Sequence, residues 1–216
     1  MDPHFPNLRP EVVRAYLEAP DPMVVEVIDG ELSLTPRPPP RHTNTRGRIL
    51  GRLRGFSDPE ENDPGGWVIL PEPELHLGTL PDILDPDLAG WRRHRLPEEP
   101  ATAAISLAPD WVCEILSDRT EACDRGPKRR IYRREGVGHL WLCDPRIHTL
   151  EVYRLEGGRW SEIETYEGDV RARIEPFEAL ELDLAAPLAL VEPRPPHDLH
   201  ACVPPPRALT SAPCVP

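Results

Sequence analysis

The five cysteines of the 216-residue chain, Cys113, Cys123, Cys143, Cys202 and Cys214, form no CxxC pair and no zinc-type spacing. That sets aside a dithiol redox centre and a structural zinc site. No apolar run approaches ~18 residues, so no membrane-spanning helix is expected. The opening residues, MDPHFPNLRP, lack a basic start and an apolar run, so no secretory signal is expected and the cytoplasm is the expected compartment. There is no internal repeat and no glycine-rich phosphate loop, which removes a repeat scaffold and a P-loop nucleotide site. Aromatics amount to 6%, enough for a core but not a rich one.

Proline is abundant, at 30 residues, well above an average of roughly 5%. The prolines gather at both ends and in loops. From about residue 187 the chain is Pro-rich and unpatterned, and a disordered or polyproline-like tail is expected over 187–216. The formal charge of −12 argues against a surface coated for nucleic acid. Arginines nevertheless cluster at Arg46, Arg48, Arg52 and Arg54, at Arg92, Arg93 and Arg95, and between Arg125 and Arg134. They fit either a basic rim around an acidic centre or ordinary solvated faces.

The informative stretch is Trp111 to Pro145, WVCEILSDRTEACDRGPKRRIYRREGVGHLWLCDP. It reads as strand, loop, helix, turn and strand. The short apolar run Trp111–Leu116 is bounded by turn residues, which is a buried-strand signal. Strand alternation puts Glu114 on one face with Val112 and Leu116, and Trp111, Cys113 and Ile115 on the other. A carboxylate among apolar neighbours is costly unless paired, metal-bound or neutralised; the alternative is an edge-strand acid facing solvent. In the helix that follows, Asp124 suits the N-cap and Gly136 the C′ position. Lys128, Ile131 and Tyr132 share one face, so an inward cation should meet an inward acid. Otherwise Lys128 snorkels at the surface, and Tyr132 packs rather than reacts.

Taken in order, the rest of the chain starts with a short amphipathic helix in PEVVRAYLEAP. Asp29-Gly30 marks a hairpin between Val24–Ile28 and Glu31–Leu34, followed by a rigid turn at 36–40. His42–Phe56 reads as a helix capped by Thr43 or Asn44, with His42 at its start either as a surface residue or pointing into a cleft. Strand-like segments follow at Trp67–Leu70 and Glu74–Leu77. The run PDILDPDLAGW at 81–91 is dense in acids for a strand. A hairpin spans Thr149–Leu155 and Trp160–Tyr166.

Asp87, Glu114 and Lys128 thus form an acid, acid and cation set of the kind that phosphodiester hydrolysis uses. Two carboxylates can hold Mg²⁺ or Mn²⁺ through hard oxygen ligands, and a Lys can orient water or stabilise charge on phosphate oxygens.

The chain also resembles a large bacterial restriction-endonuclease family, Uma2-like and long filed as a domain of unknown function, within the PD-(D/E)XK nuclease superfamily. The residues carrying the resemblance are EVIDGEL at 26–32, Pro-Arg-His at 40–42, PDLAGWRR at 86–93, WVCEILS at 111–117, DRGPKRRIYRREGVGHLWLCDP at 124–145 and LEVYRLEGGRW at 150–160. The resemblance implies an α/β fold, a restriction-endonuclease-like mixed central sheet flanked by helices. It assigns Asp87 and Glu114 as metal ligands. Leu116 stands where the signature has Lys, and Lys128 on the following helix would substitute. Glu31 would be an additional upstream acid, and His42 and Arg129 would contact the substrate. Ser117-Asp118 departs from the usual Ser-Pro, and Asp82 and Asp85 compete with Asp87 for the ligand position.

The expectation is therefore a divalent-metal-dependent endonuclease acting on DNA, built as a helical segment over 1–22, a nuclease-like domain over 23–186 and the tail. Cutting a duplex would favour a homodimer. The alternative is a catalytically inactive nuclease-fold module acting in protein or nucleic-acid interaction, which the acidic charge and Pro-rich tail would suit. A carboxylate-pair glycosidase leaves Lys128 and the arginines without a role.

Overall fold

The computed structural model describes residues 5, 7–21, 23–58, 63–79, 81–98, 100 and 102–185. The expected tail at 187–216 lies outside the described residues. In chain order the elements are α1 (Pro10–Leu17), β1 (Met23–Ile28), β2 (Glu31–Pro36), α2 (Pro40–Arg52), α3 (Arg54–Ser57), β3 (Trp67–Pro71), β4 (Glu74–Leu77), β5 (Asp82–Leu84), β6 (Leu88–Arg92), β7 (Ala104–Ile105) and β8 (Trp111–Ile115). There follow α4 (Glu121–Cys123), a π-turn (Asp124–Lys128), α5 (Arg129–Arg134), β9 (His139–Asp144), β10 (Thr149–Glu156), β11 (Arg159–Glu167), β12 (Arg171–Ala172) and β13 (Leu182–Asp183).

A six-stranded sheet runs β11-β10-β9-β8-β6-β3, and a five-stranded sheet runs β2-β1-β5-β4-β7. In the larger sheet β8 and β9 pair in parallel and all other neighbours are antiparallel. A parallel pair needs a crossover, and α4, the π-turn and α5 supply it. The mixed sheet flanked by helices is the α/β architecture expected from sequence. β8 is internal, not an edge.

The alternation read in β8 places the two cores. Trp111, Cys113 and Ile115 join one cluster with Ile49 of α2, Leu53 just after it, and Phe177. Val112 and Leu116 join the opposite cluster with Ile131 and Tyr132. Helix α1 packs Val12 against Val27 and Ile83 of the smaller sheet. Aromatics are few but concentrated: Phe177 has ring centroids 4.8–5.6 Å from those of Phe56, Trp67, Trp111 and Trp141. At Gly90 a Cβ would lie 3.0 Å from the Trp111 ring and 3.3 Å from Trp67, so glycine there lets the two indoles close over the strand.

Two local expectations are corrected. Helix α2 begins at Pro40, ahead of Thr43 and Asn44, because proline suits the first helical position, where its missing N–H is not needed. Asp124 does not cap its helix: the helix starts at Glu121, and Asp124 sits inside the π-turn, buried.

Phe177 is fully buried at the junction of four aromatic rings. Phe177→Ala is expected to lower the unfolding free energy by about 3–5 kcal/mol in urea titration. A loss under about 1 kcal/mol would mean that this cluster does not hold the sheet to α3.

Candidate functional site

The antiparallel register of β6 and β8 pairs Leu88 with Cys113, so the next step outward sets Asp87 opposite Glu114. Their contacts follow from that placement. The Ile115 N–H donates to Asp87 Oδ2 at 2.8 Å, and the Asp87 N–H reaches Glu114 Oε2 at 3.5 Å. Both carboxylates are buried and line a cleft of about 660 Å³. One wall is apolar, from Met23, Val25, Pro36 and Pro39.

Lys128 enters from the helix after β8. Its Nζ lies 2.9 Å from Glu114 Oε1, 3.0 Å from Glu26 Oε1 and 3.4 Å from Asp124 Oδ1. The Tyr132 hydroxyl donates to the same Glu114 oxygen at 2.5 Å. Burial alone would lower the Lys128 pKa, but Glu114, Glu26, Tyr132 and Asp124 outweigh it and hold the ammonium well above its ordinary range. Burial pushes Glu114 up to about 8, against the pull of Lys128 and with help from Asp124 and Asp87. Burial likewise raises Asp124, with Lys128 opposing. Burial and Glu26 raise Asp85, also in the cleft, to about 7. Burial is the main cause of the raised carboxyl pKa values, and the neighbouring carboxylates add to it against the pull of Lys128.

His42, at the first turn of α2, places Nε2 3.2 Å from Asp87 Oδ2. Its Nδ1 is buried without a hydrogen-bond partner among the described residues. Arg46 pairs with Glu72 and lies 3.6 Å from Asp87 Oδ1.

The structure thus brings Asp87, Glu114, Lys128 and His42 into one cleft. It does not bring Glu31 there. Glu31 sits at the exposed tip of the β1–β2 hairpin, paired with Arg9 at 2.8 Å. The hairpin acid in the cleft is Glu26. Arg129 also lies outside the cleft, its guanidinium stacked 4.2 Å over the Tyr153 ring. Of the acids competing with Asp87, Asp82 is held by the Asp29 N–H and by Arg134, both at 2.5 Å, outside the cleft lining. Asp118 is at the cleft but pairs with Arg146.

Sequence reasoning missed Glu26 and the bond from Tyr132. Glu26 carried the signal that marked Glu114, a lone acid inside an apolar strand. A further signal was available: of 25 basic residues, 24 are arginines and Lys128 is the single lysine. An arginine fork is too large for a point between three carboxylates, where a compact ammonium fits.

Among the described residues, no group of three or more His, Cys, Asp and Glu side chains is arranged to hold a metal ion, and no helix is long and apolar enough to cross a membrane. No functionally curated protein matches the chain. A crystal structure from Anabaena variabilis ATCC 29413, described as "a putative nuclease belonging to DUF820", superposes with a TM-score of 0.62 at 22% identity, covering 82% of this chain and 96% of that one. At that identity the likeness establishes the fold. The sequence itself goes further: the Uma2 family model, described as "Putative restriction endonuclease", matches residues 11–186, and the chain belongs to that family.

Proposed function

We propose that the protein is a divalent-metal-dependent endonuclease that hydrolyses DNA phosphodiester bonds in the cleft between β6, β8 and the hairpin β1–β2. The observation that carries this reading is the division of labour within the two buried carboxylates. Glu114 Oε1 is taken by Lys128 and Tyr132, and Asp87 Oδ2 by the Ile115 amide and His42. Among the described residues, Oε2 of Glu114 and Oδ1 of Asp87 have only contacts at 3.5 and 3.6 Å.

These two hard oxygens fit Mg²⁺ or Mn²⁺, which are commonly bound by one or two carboxylates plus substrate phosphate oxygens rather than by an all-protein cage. A third protein ligand is not required. The bound ion would polarise the scissile phosphate and lower the pKa of an attacking water. Lys128, beside Glu114 in the buried centre, is placed to orient that water or to offset charge building on the phosphate oxygens. His42 steadies the Asp87 carboxylate from the α2 side.

The direct test is an Asp87→Asn/Glu114→Gln double variant. It should fold, lose Mn²⁺ binding by calorimetry, and cut a DNA substrate no faster than a metal-free control. Undiminished metal-dependent cleavage by the variant would sink the assignment.

The burial-raised Glu114 carboxyl gives a pH dependence. Its folded pKa of about 8 exceeds the ordinary value, so this group favours folding at acid pH, and that stabilisation is lost as pH rises toward 8. A cation must displace the proton. Apparent Mn²⁺ affinity should therefore climb, by up to about tenfold per pH unit, and level off above pH ~8. Titrations in buffers of different ionisation enthalpy would count the released proton; a flat profile between about pH 6 and 8 would contradict the placement.

Tyr132 positions Glu114 without reaching the substrate. Tyr132→Phe should leave the fold intact and weaken Mn²⁺ binding about 10–100-fold. Unchanged affinity would reduce Tyr132 to packing.

A further inference from the structure

A one-signed run of charge lies beside the cleft. Residues 32–57 carry six arginines, Arg37, Arg41, Arg46, Arg48, Arg52 and Arg54, and no Asp or Glu, in a chain of net charge −12. Several arginines elsewhere are matched: Arg125 with Glu151, Arg134 with Asp82, Arg146 with Asp144 and Arg154 with Glu175. Within the run, Arg46, Arg52 and Arg54 also reach carboxylates. Arg37 and Arg41 reach none among the described residues, and Arg41 Nε is a buried donor without an acceptor. Arg119, exposed and equally without a partner among the described residues, lines the cleft together with Arg37.

The shape of this surface agrees with its charge. Pro38 borders the cleft and also a second, open groove of about 580 Å³, lined by Pro40, Thr43, Asn44, Gly47 and Arg48 of α2. The groove lining contains no acid. At Gly47 and Gly51 an added Cβ would meet nothing within 4 Å, so no described residue packs on this helix face at those two positions. His42, on the same helix, meets Asp87 inside the cleft, so one helix joins the uncovered groove to the reacting centre.

We propose that this face of α2 is the track on which the DNA sugar–phosphate backbone lies, with Arg37, Arg41 and Arg119 holding phosphates that flank the one at Asp87 and Glu114. The identity of the ligand rests on the nuclease reading; the need for a polyanion rests on the unmatched arginines. Guanidinium forks match phosphate oxygens two at a time. Thr43 and Asn44 add neutral donors of the type that contact backbone phosphates. Contacts of this kind fix position and leave base sequence unread.

The test is a salt series of binding to a short mixed-sequence DNA duplex, followed by fluorescence anisotropy in the absence of divalent metal. Wild type is compared with Arg37→Gln/Arg41→Gln, with Arg37→Gln/Arg119→Gln, and with Arg133→Gln/Arg159→Gln, which removes the same charge from two exposed arginines outside the cleft lining. Thermal melts confirm that each variant folds. Each of the first two variants should bind at least about tenfold more weakly at low salt and lower the slope of log affinity against log salt by about 1.8, two phosphate contacts' worth on a duplex. The third should stay within about twofold of wild type. Equal slopes in all four proteins, an equal loss in the third variant, or no binding by wild type would each overturn the proposal. The nuclease reading fails separately, by absence of metal-dependent cleavage in wild type; a slope change without cleavage would keep this track and remove the enzyme.

Discussion

One buried ammonium ties the molecule's functional elements together. Lys128 touches Glu26 on β1, Glu114 on β8 and Asp124 within its own helix. It therefore pins the hairpin of the smaller sheet and the crossover helix to the central strand of the larger one. Three carboxylates around one cation leave a surplus of negative charge in a desolvated place. Removing the lysine would strand them, a change that typically costs about 3–5 kcal/mol for a buried pair. Keeping it still leaves Glu114 leaning towards its neutral form. In the function proposed above, a second cation would relieve that surplus, received at the carboxylate oxygens that face the cleft.

The π-turn explains how three residues of one helix converge on that point. In an α-helix, residues four apart drift by about 40° per step, because four residues advance about 400°. Asp124, Lys128 and Tyr132 would spread over about twice that. The π-turn Asp124–Lys128 closes i→i+5 and advances less per residue, so its drift opposes that of the α-turn after it. Pro127 lies within the turn; it has no N–H to give to an i−4 carbonyl and its ring crowds that carbonyl, which favours the wider turn. All three side chains end buried on one stripe.

How much of this was legible in the sequence depended on whether the signal was local. Strand alternation in WVCEILS assigned both faces of β8 correctly, because period-2 geometry leaves no freedom once the strand is set. The i, i+4 relation of Lys128 and Tyr132 placed them on one inward face for the same reason. The hydrogen bond from Tyr132 depends on how closely the helix approaches β8, which no local pattern encodes. Glu31 and Glu26 belong to one hairpin and were separable only by register. Ile28 pairs with Glu31 at the turn, and Glu26 pairs with Ser33 further down the strand. The tip faces solvent and the strand faces the cleft. Asp124 looked like a cap because Asp is a good cap, yet the helix had already begun at Glu121. Tertiary demand for a third carboxylate at Lys128 overrode the local preference.

An acidic protein acting on a polyanion looks contradictory only if charge is averaged over the surface. Among the described residues, most arginines are engaged by carboxylates, carbonyls or aromatic rings of the protein itself. Arg125 forks onto Glu151, Arg92 stacks 4.1 Å over Trp67, and Arg95 is fixed on Asp110. Those residues give rigidity and little external field. What a phosphate backbone meets is set by the few charges left unmatched, and potentials fall off within about 8–10 Å in physiological salt. At the cleft these are Arg37 and Arg119 at the rim and the carboxylates at the floor. On the proposed reading, a floor that repels phosphate until a metal arrives, framed by arginines that attract it, would make productive binding depend on both. On that reading the net charge of −12 would suppress unspecific adhesion to nucleic acid elsewhere on the surface, and the acidity that seemed to argue against a nuclease would confine contact to one place.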